Sequence, residues 1–154
     1  MNYTNASPEQ LHEMLKYCMD FARTMLERAG EFYPFGATLS QQGEVAAVGG
    51  YNGEEHPIPT EIYKLLAGEF ESGASSGRFL GVALAANVNV PPNYESPFPD
   101  ALRVHIEAND YARFIYVPYA LSKKGFFRRH REVEYGTPFA VEIAPSFYGR
   151  ASNG

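Results

Sequence analysis

The stretch Asp100–Leu121, DALRVHIEANDYARFIYVPYAL, decides how this chain folds. Leu102, Val104 and Ile106 alternate with Arg103, His105 and Glu107, and this period of two describes a strand with one apolar and one polar face. Asn109-Asp110 interrupts the alternation. Both residue types tolerate a left-handed backbone, so the pair reads as a two-residue hairpin turn. Folding the chain back there sets His105 opposite Phe114, Arg103 opposite Tyr116 and Glu107 opposite Ala112. Leu102, Val104, Ile106, Ile115 and Val117 then share the other side, which is expected to be core.

The segments before this hairpin extend the sheet. Between Phe79 and Val90, bulky Leu80, Val82, Leu84, Ala86, Val88 and Val90 alternate with Phe79, Gly81, Ala83, Ala85, Asn87 and Asn89. The second set leaves one face nearly bare, which suits close approach of a helix and would also line a groove. The proline-rich stretch PPNYESPFP joins this strand to the hairpin as a loop. Earlier still, Phe35, Ala37 and Leu39 alternate up to Ser40-Gln41-Gln42-Gly43, and Val45 and Ala47 follow. That pattern is another hairpin. Asn52-Gly53 reads as a further turn, and Pro57 and Pro59 keep the chain extended up to a helix beginning at Pro59 or Thr60. Its apolar residues are Ile62, Leu65, Leu66, Ala67 and Phe70, and SGASSG ends it. The first helix starts at Ser7-Pro8-Glu9-Gln10, with Ser7 as N-cap, Pro8 at the first position and Gln10 able to close a capping box. Leu11, Leu15, Cys18, Ala22, Met25 and Ala29 recur at helical spacing, and Gly30 stops it.

Beyond the central hairpin, Ser122-Lys123-Lys124-Gly125 is expected to turn the chain into FFRRHREVEYG. The high charge of that segment suits an exposed edge strand. Phe139, Val141 and Ile143 close the sheet, and residues 148–154 read as a tail. The element order is helix, two strands, helix and three to five strands. Hairpin connections make the sheet mainly antiparallel and the class α+β. At 154 residues the chain is expected to form one domain. The element order is similar to that of profilin-like and roadblock-type domains. The wording of EFYPFGATLSQQGEV, DALRVHIEAND and PYAL resembles that of small bacterial proteins grouped as a domain of unknown function. The resemblance implies a bacterial cytosolic protein and carries no catalytic residue over.

Composition narrows the function classes. Apolar residues make up 45% and charged residues 20%, with 11 Tyr, 11 Phe and no Trp, which is ordinary globular usage rich in residues that favour interfaces. A net charge of -5 argues against general affinity for phosphate backbones. The single cysteine, Cys18, excludes an internal disulfide and a cysteine-rich metal site, and its place on the helical stripe reads as a small buried hydrophobe. The opening residues have no secretory-signal pattern, and Phe79–Val90 is too short to span a bilayer, so the cytoplasm is expected.

Four groups of residues carry candidate chemistry. Gly73-Ala74-Ser75-Ser76-Gly77 matches G-x-S-x-G but follows a helix and precedes a strand, the reverse of a nucleophile elbow. Glu54, Glu55 and His56 are adjacent in a loop, where they cannot all face one ion, and His12 reads as a surface or boundary residue. Lys123, Lys124, Arg128, Arg129 and Arg131 crowd together with aromatics. Glu132 and Glu134 dilute their field, so a charged edge or a patch for an acidic protein is expected rather than nucleic-acid binding. Arg103, His105 and Glu107 are the best group: Glu107 can orient His105 as a base, Arg103 can hold an anion, and Phe114 and Tyr116 lie beside them. The leading expectation is a non-enzymatic interaction or regulatory domain of immunity or adaptor type. On this reading a homodimer engages a protein partner through Arg103, His105, Phe114 and Tyr116, with no cofactor, metal or membrane. The alternative is a small enzyme or ligand-binding protein using Arg103, His105 and Glu107, with a small molecule as its partner.

Overall fold

The computed structural model describes residues 5–49, 58–124 and 130–148. Its elements run α1 (Pro8–Ala29), β1 (Phe35–Ser40), β2 (Val45–Gly49), α2 (Pro59–Ser75), β3 (Phe79–Asn89), β4 (Asp100–Ala108), β5 (Tyr111–Lys124), β6 (His130–Tyr135) and β7 (Phe139–Glu142). All seven strands form one antiparallel sheet in the order β2-β1-β3-β4-β5-β6, and β7 also pairs with β5. The fold is α+β, as the hairpin spacing predicts.

The central hairpin has the expected register: His105 pairs with Phe114, Arg103 with Tyr116 and Glu107 with Ala112. Asp110 takes the left-handed backbone that a two-residue turn requires, at φ 61°. Strand β5 is longer than expected. Its first part pairs with β4, Arg113–Tyr116 pairs with β7, and Tyr119–Lys124 pairs with β6. Ser122, Lys123 and Lys124 are therefore strand rather than turn, and Gly125, the last residue of the expected turn, lies outside the described residues. The Asn52-Gly53 turn, the Glu54-Glu55-His56 loop, Arg128 and Arg129 also lie outside them.

Helix α1 covers one face of the sheet. Its start is the expected capping box: the Ser7 hydroxyl accepts from the Gln10 backbone N–H at 3.1 Å, and Gln10 Oε1 accepts from the Ser7 N–H at 2.8 Å. Gly30, at φ 80°, ends it. The innermost row is Met14, Cys18, Ala22 and Leu26, flanked by half-buried Leu11, Leu15 and Met25, while Ala29 is exposed. The row differs from the simple count because the helix is centred on the bare side of β3. A Cβ on Gly81 would sit 3.0 Å from Met14 Cε, and Ala83 and Ala85 join the same core. Leu80 departs from the expected alternation. The β1–β3 register steps from Leu39↔Gly81 to Ser40↔Phe79, and this bulge sends Leu80 into the α1 core instead of the face bearing Val82 and Leu84.

The same helix shields the sheet edge. Arg23 Nη1 donates to the Val133 carbonyl at 2.9 Å, and Glu27 accepts from the Val133 N–H at 3.0 Å, so both backbone groups of this β6 residue are occupied by side chains of α1.

Helix α2 covers β1 and β3 on the opposite face. Ile62, Leu66 and Phe70 pack with Val82 and Leu84, and Phe147 and Tyr148 from beyond β7 complete this second core. Phe70 lies so close to the sheet that a Cβ on Gly36 would come within 2.5 Å of its Cζ. Tyr148 is buried and donates its hydroxyl to the Phe79 carbonyl at 2.9 Å, so the chain is fixed through residue 148 rather than loose from it. Residues 149–154 lie outside the described residues. Among the described residues no helix is long and apolar enough to cross a membrane.

Candidate functional site

Arg103, His105 and Glu107 do share one face of β4, the face covered by α2, but their surroundings divide them. Glu107 has no exposed surface. Its Oε2 is 2.6 Å from both His105 Nε2 and the backbone N of Ser146, while Oε1 accepts from the N–H groups of Phe147 at 2.8 Å and Tyr148 at 3.1 Å. Burial alone would raise this carboxyl's pKa. The hydrogen bonds from His105 and from the backbone of Phe147, Ser146 and Tyr148 outweigh it and hold the group below the ordinary glutamate range. A carboxylate is purely an acceptor, so the proton in the His105 contact belongs to Nε2.

The His105 ring is stacked on Phe147 at 5.0 Å and meets the edge of Phe114 at 5.1 Å. Only 4% of the residue is exposed. General-base chemistry needs a ring nitrogen within hydrogen-bond reach of substrate. Here Nε2 is committed to Glu107 and Phe147 stacks on the ring, so the pair secures the segment Ser146–Tyr148 to β4.

Arg103 lies one strand step further along and in different company. Its Nη2 donates to the Tyr63 hydroxyl at 3.1 Å, and its guanidinium lies 4.4 Å from the Phe114 ring centre and 5.6 Å from that of Tyr63. Its Nε is buried with no acceptor. Among the described residues no carboxylate pairs with Arg103. It borders a pocket of about 530 Å³ between the start of α2, the α1–β1 connection and the ends of β3 and β4. Phe32, Pro34, Tyr63, Ala86 and Val88 give this pocket apolar walls, and Lys64 and Glu31 add one charge of each sign. Helix α2 begins here with Ile58 as N-cap, which supplies no side-chain acceptor. Pro59 and Thr60 thus bring the partial positive charge of an uncapped helix start to the pocket wall.

Phe114 and Tyr116 belong to a continuous row of rings. Tyr94 stacks on Phe139 at 4.6 Å, Phe139 on Tyr116 at 5.1 Å, and Tyr116 meets Phe114 at 6.3 Å. From Phe114 the row continues through His105 and Phe147 to Phe70. Tyr116 keeps 9% of its surface exposed because Phe139, its cross-strand neighbour, lies against it. Tyr63 was not among the expected site residues. The available signal was its place beside Lys64 within the first turn and a half of a helix that proline leads into.

The other candidates resolve simply. Burial pushes the Cys18 thiol up to about 12, which leaves it protonated and inert. His12 is exposed on α1. Ser76 bonds back to Gly73, and Gly77 adopts φ 73°, so Gly73–Gly77 is the helix exit. No group of three or more His, Cys, Asp or Glu suited to a metal occurs among the described residues. Comparison of the chain with family models, curated proteins and solved structures gives no match.

Proposed function

We propose that this protein binds a small molecule in the pocket beside Arg103 and performs no chemistry on it. The supporting observation is the state of Arg103: a cation against two aromatic rings, with no carboxylate partner among the described residues, on the wall of a pocket within the usual size range of ligand sites. A guanidinium on a pocket wall offers charge-assisted hydrogen bonds to an incoming oxygen acceptor. His105 and Glu107 contribute to this reading only by fixing the strand that carries Arg103.

The test uses the aromatic fluorophore 1-anilinonaphthalene-8-sulfonate on the folded protein. Saturable binding at one site is expected, with at least a tenfold loss in Val88→Trp, where an indole occupies the pocket. Undiminished binding by a folded Val88→Trp protein overturns the assignment of the site.

A second reading, docking of a protein partner, draws support from Tyr33, Ile58 and Leu65, which are large apolar residues 43%, 52% and 46% exposed. Sedimentation of the wild type and of an Ile58→Ser/Leu65→Ser double variant tests self-association. A concentration-dependent dimer lost in the variant favours this reading, and a monomer throughout removes self-association from it.

A further inference from the structure

We infer that the ligand of the Arg103 pocket is a carboxylate on an apolar or aromatic body, with the carboxylate on the guanidinium and the body against Phe32, Pro34 and Val88. This inference rests on the small-molecule reading above and specifies the chemistry of that same site.

The pocket combines polar and apolar lining. Its charged and dipolar members include Arg103, the Tyr63 hydroxyl that accepts from Nη2, Lys64 and the start of α2, whose N-cap supplies no side-chain acceptor. All of these except the hydroxyl favour an anion. Glu31 is the one acidic residue on the wall among the described residues, and it is exposed to solvent. The surroundings therefore carry a small positive excess, enough for one negative charge and poorly matched to a dianionic phosphate.

Geometry points the same way. A guanidinium presents its donors in one plane and in pairs, an arrangement that matches the two coplanar oxygens of a carboxylate. Phe114 and Tyr63 lie over the Arg103 group, so its polar interactions are directed through its edge. Nε is enclosed, so a ligand in the pocket meets the guanidinium at its terminal nitrogens. The remaining wall sets Phe32, Tyr33, two prolines, Ala86 and Val88 beside the polar Thr60 and Asn87, a mostly apolar surface that suits a hydrocarbon or aromatic body.

The experiment is a displacement titration of the bound fluorophore with matched pairs: phenylacetate against phenylacetamide, octanoate against octanamide, and phenyl phosphate as a third headgroup. In the wild type each carboxylate is expected to bind at least tenfold tighter than its amide and tighter than phenyl phosphate. In Arg103→Met, whose side chain keeps the apolar contacts, the acid-to-amide ratio falls below threefold, while Arg103→Lys retains part of it. The wild-type pairs stand on their own if either variant fails to fold. Equal displacement by acid and amide overturns the carboxylate assignment and leaves the pocket reading intact. Stronger binding of phenyl phosphate replaces carboxylate by phosphate. Displacement by none of these compounds, together with no saturable binding of the fluorophore, overturns both.

Discussion

Replacing Glu107 by Gln keeps the shape of the side chain and removes its charge, which isolates what the carboxylate does for the fold. In the wild type both oxygens act only as acceptors, for His105 Nε2 and for the backbone N–H groups of Ser146, Phe147 and Tyr148. A glutamine amide oxygen placed toward Phe147 and Tyr148 preserves two of these bonds. The NH2 group must then occupy the Oε2 position, where it faces the Ser146 N–H at what was a 2.6 Å contact. His105 can adapt by moving its proton to Nδ1 and accepting at Nε2, but a backbone N–H cannot change sign. The variant therefore loses at least one charge-assisted hydrogen bond, worth about 1.5–3 kcal/mol, and turns an NH2 group on the partly buried Ser146 N–H, at up to about 1–3 kcal/mol. These overlap, so a total near 3 kcal/mol is expected, a large part of the roughly 5–15 kcal/mol of a typical domain. For a chain of this length that lowers Tm by roughly 6–12 °C.

Two readouts separate a clamp on the whole domain from a local tether. Chemical denaturation reports global stability, and hydrogen exchange reports protection of the amides of residues 146–148. Because Phe147 and Tyr148 complete the α2 core, both are expected to fall together. Lost protection with unchanged global stability reduces the segment to a local tether. Stability within about 0.5 kcal/mol of wild type and undiminished protection refute the clamp altogether.

The same carboxylate sets a pH dependence. Its pKa is lower folded than unfolded, so its stabilisation is complete above the unfolded value of about 4.3 and is lost as pH falls toward the folded one. Urea titrations of wild type and Glu107→Gln should therefore differ at neutral pH and converge in acid below about pH 4, and a constant gap contradicts this linkage. Gly36→Ala places a methyl group 2.5 Å from Phe70 Cζ and 2.9 Å from the Ala83 carbonyl, and denaturation should reveal a loss of about 1–3 kcal/mol from overpacking. Cys18, with its thiol pushed up to about 12 and no exposed surface, should resist alkylation by iodoacetamide in the native protein and react at once in denaturant. Equal rates in the two states would place the thiol at the surface.

Which parts of this structure were readable from the chain follows from the range over which each feature is determined. The Ser7 capping box, the Asn109-Asp110 turn and the β4–β5 register depend on residues within a few positions of one another, and each appears as expected. The bare side of β3 correctly foretold a helix, because missing side chains record a close approach without naming what approaches. Leu80 escaped because a bulge is a property of two paired strands, and the pattern of one strand does not contain it. The extension of β5 through Lys124 escaped for a similar reason: serine and two lysines look like a turn until β6 pairs with them.

Arg103, His105 and Glu107 show where local patterning stops carrying functional information. The alternation put all three on one face, and there it treated them alike. What separates them is supplied from far along the chain: Phe147 and the backbone of 146–148, some 40 residues later, close over His105 and Glu107, while Tyr63, 40 residues earlier, reaches Arg103. An unpaired buried carboxylate costs several kcal/mol, so a fully buried Glu107 requires donors, and three successive backbone N–H groups directed at it meet that need without adding charge. Arg103 has no carboxylate among the described residues, and the rings that flank it lie over its faces while its Nε edge is left without an acceptor. One strand thus carries a charge whose partners are built in and, four residues away, a charge whose partner is not, and that asymmetry is the reason the ligand reading follows Arg103 and leaves His105 aside.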